Sequence, residues 1–396
     1  MKIIVQKYGG SSVADTQKIK AIAVKISNRL DGGNKIVVVV SAMGKTTDGL
    51  VKLAKEISAE PDPRELDMLL TTGEQVTAAL LSMALRGSGI GSVSLNAYQA
   101  GITTTREFNE ARIKNFKKDK ILKLLEANDV LVVTGFQGVT DDGELTTLGR
   151  GGSDTSAVAL SAALKADCEI YSDVDGIYTA DPKIHPAAKK IKFITYDEML
   201  ELASTGAKVL HSRCVEIAKK HRINIYCAST FSDSEGSYVV ENTIDQPVVT
   251  GLSVMENQTQ VTITNLELDY SLVKTIFEDA AREHLNVDMI SIINTGDTLN
   301  ISFTIIEEKK KHIDASLKKM LKHLKGWNVN YHSGYAKISV VGVGMKSSYG
   351  VATRFFGALG DTPIRLVTTS EIKISCLLED KYKEKAIKSL VAEFKL

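Results

Sequence analysis

Over its first half the chain alternates short apolar runs with longer stretches of helical period. Ile3 to Val5 precedes a helical pattern over Thr16 to Leu30, and Ile36 to Val40 precedes a long one over Arg64 to Arg86. The run Lys35-Ile36-Val37-Val38-Val39-Val40-Ser41 is continuously apolar and β-branched. Strands covered on both faces by crossover helices have that character, so a central strand is expected here. Further strands are predicted at Val93 to Leu95, Val130 to Thr134, Glu169 to Ser172 and Ile223 to Cys227, with helices near Asn109 to Leu125, Asp154 to Leu164 and Ala207 to His221. This rhythm predicts one α/β domain over residues 1–245 with a parallel-rich sheet.

Beyond Pro247 the texture changes. A strand-like stretch, Val248 to Val254, precedes two segments that each read strand, helix, strand, strand: Gln260 to Ile306 and Lys337 to Leu378. The separations of Val261 from Ile338, Phe277 from Phe355 and Val287 from Ile364 are nearly constant, which indicates a repeated α+β module of about 75 residues. Modules are therefore expected over 246–334 and 335–396, with the leading strand 248–254 a candidate to complete the second module's sheet. The run Glu307-Glu308-Lys309-Lys310-Lys311 mixes signs at the start of an amphipathic stretch, as a solvated helix face does.

Composition narrows the function classes. With 49 Lys plus Arg against 48 Asp plus Glu, the formal charge of +1 supplies no field to gather nucleic acid or an anionic membrane. Any anionic ligand needs a local site. Cys168, Cys214, Cys227 and Cys376 form no CxxC pair and no metal-like spacing, so reduced, buried thiols and a cytoplasmic setting are expected, with no metal cage. The N-terminal apolar run is too short for a signal peptide, and no apolar stretch reads as the roughly 20 residues of a membrane span.

Three segments carry candidate chemistry. Lys7-Tyr8-Gly9-Gly10-Ser11-Ser12 leaves a strand and enters a helix, so backbone N–H groups can approach an anion while Lys7 adds a point charge. On those residues alone an ordinary strand-to-helix turn explains the pattern equally well. Gly149-Arg150-Gly151-Gly152-Ser153-Asp154 places a guanidinium, glycines, a hydroxyl and a carboxylate before a helix. Ser153 or Asp154 would cap that helix, while Arg150 is suited to grip a carboxylate and Asp154 to accept from an ammonium. Ser172-Asp173-Val174-Asp175-Gly176-Ile177-Tyr178 follows a strand and continues to Asp181 and Lys183, at the edge where open α/β sheets bind nucleotides. Two tempting motifs fail. Gly44-Lys45-Thr46-Thr47 has Val39 where a P-loop requires glycine, and Gly342-Val343-Gly344 has Ser347 where a dinucleotide fingerprint requires its third glycine.

Together with Val40-Ser41-Ala42-Met43-Gly44, Thr72-Gly73-Glu74 and Gly206-Ala207-Lys208-Val209-Leu210-His211, these segments resemble the aspartate kinase family in order and spacing. The resemblance runs through the C-terminal repeats, which are similar to paired ACT domains. It implies an amino acid kinase fold followed by two ferredoxin-like modules, and ATP-dependent phosphorylation of L-aspartate with Mg²⁺ accompanying the nucleotide. Lys7 would sit at the transferring phosphoryl group, and Asp154 would be the second catalytic residue. Tyr8, Gly9, Gly10 and Ser11 would line the phosphates, and Ser172, Asp173, Tyr178, Asp181, Lys183, Lys208 and Val209 would hold ATP. Ser41, Thr47, Gly151, Gly152 and Ser153 would complete an aspartate pocket in which Glu74 and Asp154 face the ammonium and Arg150 the α-carboxylate. In the second repeat Met345, Ser348, Tyr349, Gly350, Val351, Thr369, Ser370 and Glu371 would form an effector loop for lysine or threonine. The first repeat carries Leu268-Asp269-Tyr270-Ser271 where the family has Asp-x-Pro-Gly. A homodimer or homotetramer through the ACT modules is implied, as is a monofunctional enzyme. Related kinases of glutamate, N-acetylglutamate or nucleoside monophosphates, and a silent amino acid sensor, are the competing readings.

Overall fold

The computed structural model describes residues 2–30, 33–207, 209–243, 247–282 and 285–396. They fall into two compact units, the first comprising Met1–Tyr178, Lys190–Ser204 and Lys208–Asp245 and the second Thr179–Lys189, Thr205–Ala207 and Gln246–Leu396.

The first unit is built on an eight-stranded sheet in the order Phe193–Thr195, Ser237–Val240, Ile225–Ser229, Asp167–Ser172, Ile3–Tyr8, Lys35–Val40, Val130–Thr134 and Ser92–Leu95. Every neighbouring pair is parallel except Ile225–Ser229 with Ser237–Val240. Val37, Val38, Val39 and Val40 are fully buried, as their continuous β-branched pattern requires. From Ile3–Tyr8 the chain first builds the sheet to one side and later, from Asp167–Ser172, to the other. The switch point therefore lies between these two central strands, where ligands bind at the carboxyl ends of such sheets. Helix Thr16–Leu30 buries Ile19, Ile22, Ala23 and Ile26, an i, i+3, i+4, i+7 stripe, against one face.

Three predicted helices differ from the structure, one of them the helix expected over Ala207 to His221, which spans Ser212–His221. The stretch expected to run unbroken from Arg64 to Arg86 is two helices, Pro63–Leu70 and Thr72–Gly87, the first capped by Asp62, which accepts from the N–H groups of Arg64 and Glu65. Pro63–Gly87 is apolar and long enough to cross a membrane by composition alone, yet half of its most apolar window is buried in the fold. The helix expected from Asn109 begins at Lys118, because Ile113–Phe116 pairs antiparallel with Ile102–Thr104 in a small four-stranded sheet. That pairing is long-range and overrides local pattern.

The second unit holds one six-stranded sheet rather than two separate ones. Its order is Asp288–Thr295, Thr298–Ile306, Gly251–Glu267, Asn328–Val341, Lys373–Glu379 and Leu366–Thr369. The leading stretch and the first repeat's opening strand fuse into Gly251–Glu267. Its first part pairs with Lys337–Val341 and its later part with Asn328–His332, across two register shifts. Each half keeps its own core. Phe303, Ile276 and Leu317 sit in one, and Phe355, Ile338, Leu378 and Leu390 in the other. Helices Lys310–Met320 and Lys383–Phe394 close the two halves. The segment Thr179–Lys189 belongs to this unit: Ala180 packs in the second core, and Leu252 N–H donates to Thr179 O at 2.7 Å. All four cysteines are buried free thiols.

Candidate active site

Strand alternation sends Lys7 and Tyr8 to opposite faces of the sheet. Tyr8 is completely buried beside helix Thr16–Leu30, stacked on Tyr171 at 5.2 Å, its hydroxyl donating to Gln6 Oε1, so its side chain is not at the phosphate loop. Lys7 emerges on the other face, where its Nζ lies 2.6 Å from Asp154 Oδ1. Helix Gly152–Leu164 begins on a left-handed Gly151 with no side-chain cap. Neither Ser153 nor Asp154 caps it, contrary to expectation, and Asp154 is thereby available to Lys7. The amide of Gly9 donates to Tyr171 O at 3.2 Å, and Gly10 O accepts from Gly44 N–H at 3.0 Å, which ties the first loop to its neighbours on both sides of the switch point.

Across the loop after Lys35–Val40 stands a second acid. Glu74, in the first turn of helix Thr72–Gly87, is 3% exposed. Its Oε1 accepts from the Ala42 amide at 3.1 Å and its Oε2 has no partner among the described residues. Burial pushes its pKa up to about 7, against hydrogen bonds from backbone N–H groups that lower it. The helix comes so close that a Cβ on Gly73 would lie 2.9 Å from Ala42 Cβ. Ser41 donates its N–H to Tyr8 O, Thr47 is half-buried at the start of the next helix, and Arg150 is exposed.

Several residues here carried no sequence signal. Phe136 has φ 68°, its N–H donates to Ser156 Oγ and its carbonyl accepts from Leu148 N–H, so it buttresses the loop that carries Arg150. A Cβ on Gly135 would sit 2.8 Å from Ser153 Oγ, and Thr134 Oγ1 is buried without a partner among the described residues. The Ala42 amide, too, was invisible: backbone donors carry no residue-type signature.

On the other side of the switch point, Ser172 O accepts from Thr230 N–H at 2.9 Å, and Thr230 Oγ1 pairs with Ser12 Oγ at 2.6 Å. Asp173 is exposed. Tyr178 is set by Asp175, which accepts from its hydroxyl at 2.8 Å, from Lys190 Nζ at 2.7 Å and from Ser234 Oγ at 3.1 Å, and whose carboxyl is held low chiefly by Lys190. Asp175 lay inside the quoted motif; Lys190 and Ser234 did not. Asp181 and Lys183 belong to the second unit, where Asp181 Oδ1 accepts from Lys183 N–H at 2.9 Å. Val209 is half-buried, and Lys208 lies outside the described residues.

In the second unit the two halves of the expected effector loop meet. Lys346 pairs with Glu371 at 2.7 Å, and Gly342 N–H donates to Ile372 O at 3.0 Å. Ser348 N–H donates to Met345 O, and Ser370 N–H to Lys373 O, at the end of the strand that carries Thr369. Gly350 is left-handed before helix Val351–Leu359, Val351 is buried and Tyr349 is fully exposed. In the first repeat Asp269 accepts from both the N–H and the hydroxyl of Ser271, a self-contained turn at the start of helix Tyr270–Arg282.

The model of the amino acid kinase family matches residues 2–229, and an ACT domain model matches 338–394. The aspartokinase of Geobacillus stearothermophilus is 46% identical over 402 residues, covering 100% of this chain and 98% of that protein. E. coli aspartokinase III solved with aspartate and ADP (R-state) shares the fold over 100% of both chains, with a TM-score of 0.84 at 24% identity. The same enzyme solved with lysine and aspartate (T-state) superimposes with a TM-score of 0.78 at 25% identity, again over the full length of both. A family model that spans most of the kinase unit, a near-half-identical relative over the full length and a strand-end lysine held by an acid at the switch point agree: the chain belongs to the amino acid kinase family and, within it, to the aspartokinases.

Proposed function

We infer that the chain transfers the γ-phosphoryl group of ATP to the side-chain carboxylate of L-aspartate, giving 4-phospho-L-aspartate, the entry step toward lysine, threonine and methionine. The observation that carries this reading is Lys7 on the end of the first strand, 2.6 Å from Asp154 at the switch point, with the half-partnered acid Glu74 across the loop. The attacking carboxylate is ionised at neutral pH, so the chemistry needs no general base; positioning and charge stabilisation suffice. Lys7 meets the charge that gathers on the phosphoryl oxygens and Asp154 holds the ammonium of Lys7 in place. With Gly9 N–H engaged by Tyr171 O, the amides of Gly10 and Ser11 are the ones left to cradle phosphate.

Glu74 takes the substrate ammonium and Arg150 its α-carboxylate, with Ser41, Thr47, Gly151, Gly152 and Ser153 around them. An N-acetylated acceptor would leave Glu74 without its cation, which argues against N-acetylglutamate. On the first unit ATP is held by Ser172, Asp173, Tyr178 and Val209. Mg²⁺ accompanying the nucleotide would neutralise part of the triphosphate's charge. The loop joined by Lys346 and Glu371 is the site for an amino acid effector, lysine or threonine, and the ACT modules assemble the chain as a homodimer or homotetramer in the cytoplasm.

Hydroxylamine trapping tests the reaction. ATP with aspartate yields a hydroxamate and ATP with glutamate yields far less; no hydroxamate from either acceptor, with folded protein, refutes the assignment.

A further inference from the structure

The loop that carries Arg150 is held from outside the site. Gly149 and Gly151 are both left-handed, with φ 74° and 68°, so the loop reverses sharply on either side of Arg150. A Cβ on Gly151 would lie 2.3 Å from His211 Cβ and Cγ, and one on Gly149 would lie 2.9 Å from Asn109 O. The loop is thus wedged between residues 109–111 and the start of helix Ser212–His221. His211 caps that helix by accepting from Arg213 N–H at 3.4 Å.

Arg213 then binds both walls at once. Its Nη1 donates to Leu148 O at 2.9 Å and its Nη2 to Ala111 O at 2.7 Å. Leu148 and Ala111 are 2% and 0% exposed, and Ala111 N–H in turn donates to Thr147 O at 2.9 Å. The guanidinium itself is half-buried, and that burial is the first cause lowering its pKa, followed by the neighbouring Arg112 and opposed by Glu216 and Glu110. A half-buried cation beside another arginine, with these two bonds on neutral carbonyls, is a costly way to join two loops. The planar fork is what the geometry uses: two carbonyls on different segments, bridged by one rigid group.

We propose that Arg213 is a positioning residue for aspartate recognition: by bridging Leu148 O and Ala111 O it sets the loop Gly149–Gly151, and so the direction in which Arg150 presents its guanidinium to the α-carboxylate. This deepens the reading of Arg150 given above and rests on it. Arg213 touches neither substrate, and its effect is confined to the aspartate side of the site.

The experiment compares R213A, R213K and R150A in the full-length enzyme, with KM for aspartate, KM for ATP, kcat and the melting temperature measured for each. R213A raises the aspartate KM about tenfold, the loss of one charge-assisted hydrogen bond's worth of positioning, while the ATP KM stays within about twofold. R213K, whose ammonium lacks the fork, gives an intermediate rise. Guanidinium ion at millimolar concentration, far below denaturing levels, lowers the aspartate KM of R213A and leaves that of the parent unchanged. An aspartate KM unchanged in folded R213A, or both KM values raised together without guanidinium rescue, overturns the proposal. If R213A does not fold, R213K decides: a rise confined to aspartate supports the proposal and unchanged constants overturn it. R150A separates the two layers. If R150A leaves the aspartate KM unchanged, the reading of Arg150 falls; if R150A raises it and R213A does not, only the clamp falls.

Discussion

Two corners of the catalytic unit treat a buried acid in opposite ways. At the phosphate corner Asp154 is matched by Lys7 at 2.6 Å, and the two side chains are only 13% and 11% exposed. At the proposed acceptor corner Glu74 is more deeply buried, and among the described residues its carboxylate meets backbone N–H groups and no cation. A buried charge is tolerated when it is paired and costs several kcal/mol when it is not. The phosphate corner is electrically complete before any substrate arrives. The acceptor corner is one positive charge short, and the ammonium of an amino acid has the sign and size to supply it.

The largest effect follows from disturbing the complete corner. If Lys7 meets the transferring phosphoryl group as proposed, K7M removes that charge and lowers kcat by about 10²- to 10³-fold, with a much smaller change in the aspartate KM. It also strands Asp154, so K7M should melt lower than the parent. Adding D154N removes the stranded charge and should restore part of the stability without restoring activity. Steady-state kinetics and thermal melts of the three proteins check this. Near-normal turnover in K7M would mean that the comparison assigns the wrong residue to the phosphoryl group.

A smaller effect comes from the incomplete corner and is read without substrate. Glu74 has a folded-state pKa of about 7 against 4.5 for the ordinary side chain, so the native state binds its proton more tightly than the unfolded state. Its contribution to stability is fully present below about pH 4.5 and is lost as pH rises through 7, up to about 3 kcal/mol in all. E74Q carries no such titration. Urea unfolding at pH 5 and pH 8 should therefore show E74Q gaining on the parent by an amount of that order. A gap that does not change with pH would mean that Glu74 is already compensated, and the contrast between the corners would vanish.

How much of this was legible depends on which kind of contact builds each corner. Lys7, Gly149–Asp154 and Ser172–Tyr178 stand in local runs whose residue types and order mark a glycine turn after a strand, a helix entry and a strand end. Glu74 was visible within Thr72-Gly73-Glu74, but its state was not, because that depends on the Ala42 amide and on helix Thr72–Gly87 closing to within contact of Ala42. Phe136, Thr230, Lys190 and Arg213 act through carbonyls, hydroxyls or carboxylates far away in the chain, so no spacing rule reaches them. The fold shows the same division. Helix Thr16–Leu30 follows its own periodicity to both ends. The strand Ile113–Phe116 has a helical local pattern and owes its state to pairing with Ile102–Thr104, and the fused strand Gly251–Glu267 looks like two pieces in the sequence because register shifts interrupt its alternation.

The gentlest test asks whether aspartate completes the second corner. If its ammonium must meet an ionised Glu74, binding weakens as Glu74 takes up a proton, so the aspartate KM measured at saturating nucleotide should fall as pH rises from 6 to 8. With a pKa of about 7, the ionised fraction changes about tenfold across that range, equivalent to about 1.4 kcal/mol. The aspartate ammonium and carboxylates do not titrate there, but the nucleotide's terminal phosphate does, so the parent profile alone is ambiguous. E74Q resolves it: the part due to Glu74 disappears, so the aspartate KM sits at a raised value and keeps only whatever pH dependence the nucleotide's titration gives. Bound aspartate should also pull the Glu74 pKa down, because a neighbouring cation favours the carboxylate. Aspartate binding near pH 6.5 should therefore release a proton, seen in calorimetry as a heat that depends on the buffer's ionisation enthalpy in the parent and not in E74Q. A proton release of equal size in both proteins would place the titrating group elsewhere and leave Glu74 a buried acid with no part in recognition.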